Sequence, residues 1–276
     1  MPEITKLIHK YLRYDKKFPH VWCPGCGIGI MMGAMVRAID RIGYKKDDIV
    51  LVSGIGCSGR LPVYVDFNTL HTTHGRALTF ATGIKIAKSH LKVIVVMGDG
   101  DATAIGGNHL IHTARRNIDL TAIIVNNNIY GMTGGQVSPT TNYGARTTTT
   151  NWGAIEKPFE IADIVTAAGA AFVARGTVYH AKMLDSLLEK AFRKEGFSVV
   201  EVISHCHTHY GKLNKMGQAV KMLEWMRDHA IPIEKARNMK EEELKDFFII
   251  GVLADRENTP YHKAYAEMKQ RIKEGK

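Results

Sequence analysis

The chain has 276 residues, 45% hydrophobic and 23% charged, a balance that excludes a disordered protein and allows a core that needs no disulfide. Its net charge of +10 suits an acidic partner or a phosphorylated ligand, but the lysines and arginines are scattered rather than run together, so no nucleic-acid partner is expected. No apolar run approaches the ~18 residues of a membrane span, and the charged start has no export signal, so a cytoplasmic protein with no membrane partner is expected.

In chain order, residues 28–42 have apolar side chains at helical spacing and stop at Gly43. Residues 49–52 read as a buried strand that runs into the glycine-rich turn SGIGCSGR. Residues 75–89 predict a helix, 93–97 a strand ending at Gly98, 105–117 a helix, and 121–125 a strand ending in Asn126-Asn127-Asn128. Residues 198–203 form a fourth apolar strand that delivers His205-Cys206, and the last 65 or so residues are polar and helical. The pattern predicts an α/β fold, an open and mostly parallel sheet with helices on both faces. Residues 1–205 would form the main domain, with an N-terminal cysteine segment, and 206–276 a helical C-terminal extension packed on it. The glycine and polar clusters all come directly after strand C-termini, the edge where open parallel sheets bind ligands.

Gly98-Asp99-Gly100-Asp101 follows one strand and Asn126-Asn127-Asn128-Ile129 the next, one strand–helix–strand crossover later. The side chains of Asp99 and Asn127 can therefore converge. A carboxylate and an amide oxygen are hard ligands that suit octahedral Mg²⁺ and leave positions for phosphate and water. The glycines let backbone approach a diphosphate closely. Two ligand-free turns of a nucleotide-type sheet are the alternative. A nicotinamide site is disfavoured, since no G-x-G-x-x-G joins a strand to a helix. The spacing resembles the thiamine diphosphate (ThDP) motif, a GDG followed one crossover later by NN. That resemblance implies Mg²⁺ bound by the Asp99 and Asn127 side chains and the Ile129 carbonyl.

The four cysteines lie in turns beside regular elements: Cys23 and Cys26 in a C-x-x-C before a helix, Cys57 in the glycine-rich turn, and Cys206 after the last core strand. Four thiolates suit an iron–sulfur cluster or a structural zinc, and His205, His207 and His209 keep zinc open. Cys57 sits in the turn expected to meet the cofactor, where an electron acceptor is useful. The segments CPGCG, GIGCSGR, HTTHGRALTFATGIKIA, GDGDATAIGGNH, NNNIYGMTGGQVSPT and HCHTHYGKLNK occur in this order. From Cys23 onward the chain is similar to the β subunit of the 2-oxoacid:ferredoxin oxidoreductases. The resemblance implies one 4Fe–4S cluster on Cys23, Cys26, Cys57 and Cys206. It implies ThDP contacts from Ile55, Gly56, Cys57 and Ser58, from His74, Gly75, Arg76 and Ala77, and from Gly100, Asp101, Gly131 and Met132. Met132 would be an apolar wedge beneath the cofactor or simple core packing, and His74 and Arg76 can cradle a diphosphate or be satisfied structural polar groups. Arg60 can clamp a substrate carboxylate or pair with a surface acid, and Trp22 and Tyr143 can line a pocket or fill the core.

The implied reaction is oxidative decarboxylation of a 2-oxo acid. The acyl group passes to coenzyme A (CoA), and electrons pass through the cluster to ferredoxin. The chain has room for one ThDP-binding domain, the diphosphate half, plus an extension. No general acid or base is therefore expected here. The activating Glu belongs on an α subunit bearing the pyrimidine-binding domain, and the resemblance also implies γ and ferredoxin-like δ chains. HTTHGRA with YGMTGGQ looks most like the 2-oxoglutarate members, while pyruvate and branched-chain relatives share the scaffold. Two rivals are a non-oxidative ThDP decarboxylase half, which needs no cluster, and a zinc-stabilised nucleic-acid module, which needs basic clusters with stacking aromatics.

Overall fold

The computed structural model describes residues 3–275. Among them, β1 (Ile49–Ser53), β2 (Asn68–His71), β3 (Lys92–Gly98), β4 (Thr121–Asn126), β5 (Phe172–Thr177), β6 (Ser198–Ile203), β7 (Ala230–Pro232) and β8 (Phe248–Asp255) form one sheet. Its order is β2-β1-β3-β4-β6-β5-β8-β7, and only the β5–β8 pair is antiparallel. The helices are α1 (Glu3–Tyr11), the single turn α2 (Tyr14–Lys17), α3 (Ile28–Ile42), α4 (Ala77–Ala87), α5 (Gly107–Arg115), α6 (Ile161–Ala167), α7 (Ala181–Arg193), α8 (Ala219–His229), the short α9 (Ile233–Ala236) and α10 (Tyr261–Lys273).

Side chains alternate across a strand, and here both faces are covered, so the central strands are apolar at nearly every position. Ile49, Leu51, Ile94, Val96, Ile123, Val125, Val200 and Val202 pack with α3 and α7. Their neighbours Val50, Val52, Val93, Val95, Ala122, Ile124 and Val199 pack with α4, α5 and α6 through Ala81, Leu110 and Val165. The helix α3 ends where Gly43 takes φ +78°, and its N–H closes on the Ile39 and Asp40 carbonyls. Arg37 on α3 clamps Asp185 on α7 with two bonds of 2.7 and 2.8 Å, which fixes the pair of helices over one face.

From β1 the chain steps outward to β2 and then returns to the far side of β1 as β3. This reversal opens a crevice between the C-terminal ends of β1 and β3, the natural ligand position of such sheets. The loops after β1, β3, β4 and β6 all leave from that edge.

The four apolar strands and the helices at 28–42 and 75–89 form close to the expected bounds. The helix expected at 105–117 begins at Gly107, because residues 101–105 make a single π-turn instead. The C-terminal extension is helical in α8, α9 and α10, and it also adds β7 and β8, which lengthen the sheet beyond β5. Among the described residues no helix is long and apolar enough to cross a membrane.

Candidate active site

A cavity of about 280 Å³ lies in the crevice at the strand ends. The loop after β1 contributes Ile55, Gly56, Cys57 and Ser58; the turn after β3 contributes Asp99, Gly100 and Asp101; the loop after β4 contributes Asn127, Ile129, Gly131 and Met132. His74 closes the side.

Asp99 is 2% exposed. Its Oδ2 accepts hydrogen bonds from Ser138 Oγ at 2.5 Å and Thr140 Oγ1 at 2.6 Å, which turns Oδ1 toward Asn127. The Asn127 side-chain oxygen faces Asp99 Oδ1 at 3.2 Å and the Ile129 carbonyl oxygen at 2.8 Å. Three acceptors so close repel one another unless a cation lies among them or the amide turns so that Nδ2 donates to both. An octahedral Mg²⁺ with bonds of about 2.1 Å spaces neighbouring oxygens by roughly 3 Å, so this donor set fits that ion. Burial pushes the Asp99 carboxyl above its ordinary 3.8, against the pull of the two hydroxyls. A dication beside it would restore the ionised form.

Asp101 builds the next wall. Its Oδ1 accepts the Gly75 N–H at 2.6 Å and lies 2.7 Å from His74 Nδ1, an ion-pair separation without hydrogen-bond alignment. Its buried Oδ2 has no hydrogen-bond partner. Burial also raises this carboxyl, offset by the Gly75 amide and by His74. Close approach explains two glycines here: a side chain at Gly100 would enter the Tyr130 ring, and one at Gly54 would enter the Asp101 carboxylate. Met132 stands in the cavity wall, 46% exposed, as an apolar wedge would.

A second cavity of about 230 Å³ adjoins the first and shares Ile28, Cys57, Asn127, Gly131 and Met132 with it. Cys23, Cys26, Cys57 and Cys206 all line it as free thiols. The Cys26 N–H bonds to the Cys23 carbonyl at 2.9 Å, and Trp22 Nε1 donates to the Cys57 carbonyl at 2.7 Å. His205 Nε2 meets the Gly25 carbonyl at 2.8 Å, which ties the Cys206 loop to the C-x-x-C turn. Burial, with the neighbouring thiols adding to it, pushes the Cys26 and Cys57 thiols up to about 11. Among the described residues no three His, Cys, Asp or Glu side chains meet closely enough to hold a single ion. The four thiols instead share the wall of one cavity.

The structure thus brings together Asp99, Asn127 and Ile129, and likewise the four cysteines. Of the expected cofactor contacts, Gly75, Arg76 and Ala77 do not line the cavity: Gly75 acts through Asp101, Arg76 Nη1 lies 2.6 Å from His109 Nε2, and Ala77 is buried at the start of α4. Arg60 is exposed and stands outside the wall. Trp22 is buried and lines the thiol cavity, whereas Tyr143 is 73% exposed. Ser138 and Thr140, which orient Asp99, escape a reading of the sequence. They lie in a long aperiodic loop, and only their place in SPTT marks them.

Residues 54–202 match the thiamine pyrophosphate enzyme family, C-terminal TPP binding domain. The chain is 46% identical over 264 residues to the 2-oxoglutarate synthase subunit KorB of Methanocaldococcus jannaschii, covering 96% of this chain and 97% of that one. It is 56% identical over 199 residues to the subunit of the same name in Archaeoglobus fulgidus, covering 72% and 74%. A solved 2-oxoglutarate:ferredoxin oxidoreductase from Magnetococcus marinus, with 2-oxoglutarate, coenzyme A and succinyl-CoA bound, superposes with a TM-score of 0.85 at 32% identity, covering 96% of this chain and 90% of that one.

Proposed function

The chain belongs to the β subunits of the 2-oxoacid:ferredoxin oxidoreductases, and from that premise we propose that it holds Mg²⁺–ThDP and one 4Fe–4S cluster for the oxidative decarboxylation of 2-oxoglutarate. Residues 1–205 are the cofactor-binding domain, and 206–276 are the extension, whose β8 and β7 continue its sheet beyond β5. The products are CO₂ and succinyl-CoA, with two electrons leaving singly to ferredoxin. Bound here, ThDP supplies the electron sink that lets a 2-oxo acid lose CO₂, and the cluster supplies a one-electron outlet.

The residues of this chain bind and orient. Asp99, Asn127 and the Ile129 carbonyl present oxygens to Mg²⁺, and Ser138 and Thr140 hold the Asp99 carboxylate in place. Met132 supports the cofactor from below. Cys23, Cys26, Cys57 and Cys206 hold the cluster. No side chain of this chain is assigned as general acid or base. The activating Glu belongs to the pyrimidine-binding domain of a separate α subunit, and γ and δ chains complete the larger assemblies.

One observation carries this reading: Cys57, Asn127, Gly131 and Met132 stand in the wall of both cavities, so the cation site and the thiols lie on either side of one partition. A non-oxidative decarboxylase would have no use for that arrangement. The choice of 2-oxoglutarate rests on the names of the relatives and on the matched HTTHGRA and YGMTGGQ segments.

The test is anaerobic purification with the α subunit. A brown protein with about four irons per β chain, bleached on reduction, is expected. Turnover with viologen should be fastest on 2-oxoglutarate in a panel that includes pyruvate and branched-chain acids. A colourless zinc protein would overturn the cluster, and a preference for pyruvate would overturn the substrate. The Cys206→Ser variant should lose iron, and full iron content would contradict that ligand.

A further inference from the structure

Three asparagines in a row begin at the last residue of β4, and the proposed cation site uses only the middle one. Asn126, 6% exposed, turns the other way. Its Nδ2 donates to Glu201 Oε1 at 2.8 Å, and its Oδ1 accepts the Asn128 N–H at 3.2 Å. Its carbonyl accepts the Ser204 N–H at 2.8 Å, two residues before Cys206. Asn128 turns the corner at φ +61°, a conformation that an Asx-type bond to the preceding side chain favours. From that corner Asn128 Nδ2 donates to the Thr140 carbonyl at 2.6 Å, and Thr141 Oγ1 donates to the Asn128 carbonyl at 2.7 Å. Thr140 closes the circuit with its hydroxyl on Asp99.

At the base of this network lies a charge in an unexpected place. Glu201 stands within β6, 2% exposed, in a strand whose other positions are mostly apolar. Its Oε2 accepts Arg175 Nε from β5 at 2.8 Å, and Arg175 Nη2 reaches Glu160 at 3.1 Å. A buried ion pair stabilises no better than well-packed apolar side chains, so its presence suits a task of placement. Both Glu201 oxygens are engaged, one by Arg175 and the other by Asn126.

We propose that the Glu201–Asn126 hydrogen bond, backed by Arg175, fixes the corner at residues 126–129 so that the Asn127 amide oxygen and the Ile129 carbonyl face Asp99. Glu201 and Asn126 are positioning residues: neither lines the cofactor cavity, and both act through the loop. The assignment rests on the reading of Asp99, Asn127 and Ile129 as the Mg²⁺–ThDP site.

The experiment uses the α–β complex and reads three quantities: the Mg²⁺ concentration that half-saturates ThDP binding, the melting temperature, and kcat at saturating Mg²⁺ and ThDP. Asn126→Asp sets a carboxylate against Glu201 and should raise the half-saturating Mg²⁺ about 10–100-fold, the usual cost of losing an outer partner of a metal ligand. At saturation kcat should change little. Adding Glu201→Gln to it supplies an amide that can donate to the new carboxylate, and the double variant should regain most of the loss. Should Asn126→Asp fail to fold, Asn126→Ala, which introduces no charge, should shift the Mg²⁺ requirement in the same direction. A purely structural role would lower the melting temperature and leave the Mg²⁺ requirement where it was. Folded variants with wild-type Mg²⁺ requirement, or a double variant that recovers nothing, overturn the assignment alone. A wild-type complex that takes up no Mg²⁺–ThDP overturns the site reading and this assignment with it.

Discussion

Asp99 gives one oxygen to two hydroxyls and aims the other at Asn127, so its removal would take away the central ligand of the proposed Mg²⁺ site and the reason for the hydroxyl pair. Asp99→Ala should abolish Mg²⁺-dependent ThDP binding by calorimetry, and retained affinity would refute the role. Burial also sets a pH dependence. Asp99 and Asp101 are raised above 3.8 in the fold, so the folded chain holds protons that the unfolded chain releases. Their contribution to the stability of the cofactor-free chain is fully present below that value and is lost as pH rises through the raised ones. A bound dication removes the penalty, so the rise in melting temperature on adding Mg²⁺–ThDP should grow as pH increases upward from about 4. A rise that shrinks over this range would contradict it. The thiols divide in a related way. Cys26 and Cys57 are pushed up to about 11, whereas Cys23 is exposed. In iron-free protein at pH 8, iodoacetamide should label Cys23 well before Cys26 or Cys57, as read by peptide mass mapping; the reverse order would contradict the burial.

The central strands are legible in the sequence because two covered faces demand apolar residues at every position, as in IVLV of β1 and VIVVM of β3. Leu51, fully buried in β1, shows what such a position is worth. Leu51→Ala should cost about 2–5 kcal/mol in chemical denaturation, and a loss under ~1 kcal/mol would mean that the core collapses around the gap. The remaining strands are less legible, for identifiable reasons. The short β2, NTLH, is polar because it borders solvent. In β5, Arg175 interrupts the apolar pattern, and only its burial against Glu201 from β6 makes a charge tolerable there. The strand β8 is a visible apolar run, yet nothing local says that it pairs antiparallel to a strand about 80 residues earlier. The same division runs through the site. The cysteines, Asp99 and Asn127 stand out because their chemistry is rare in turns beside regular elements. Ser138 and Thr140 do not, since a hydroxyl in a long loop has many ordinary uses until the fold brings it to a buried carboxylate.

At the scale of the whole molecule, part of the net charge of +10 stands beside the thiol cavity. Lys212 and Lys215 are exposed and border a shallow depression that shares His207 and Thr208 with the thiol cavity. Neither lysine forms an ion pair among the described residues, whereas nearby Lys221 and Arg227 are paired with Glu224 and Asp228. Cys23 is exposed and lines the thiol cavity that adjoins this depression, so unpaired positive charge stands near a solvent-facing thiol. An acidic iron–sulfur carrier approaching there would be steered by a field that salt screens over about 10 Å at 0.1 M, while a small viologen dication gains nothing from it. Ferredoxin reduction by the α–β complex should therefore slow as salt rises from about 20 to ~300 mM, with viologen reduction far less affected. Lys212→Glu combined with Lys215→Glu should raise the KM for ferredoxin roughly 10-fold or more and leave viologen turnover within about 2-fold of wild type. If both acceptors slow together, the lysines support the thiol site itself; if neither changes, the carrier docks on another face.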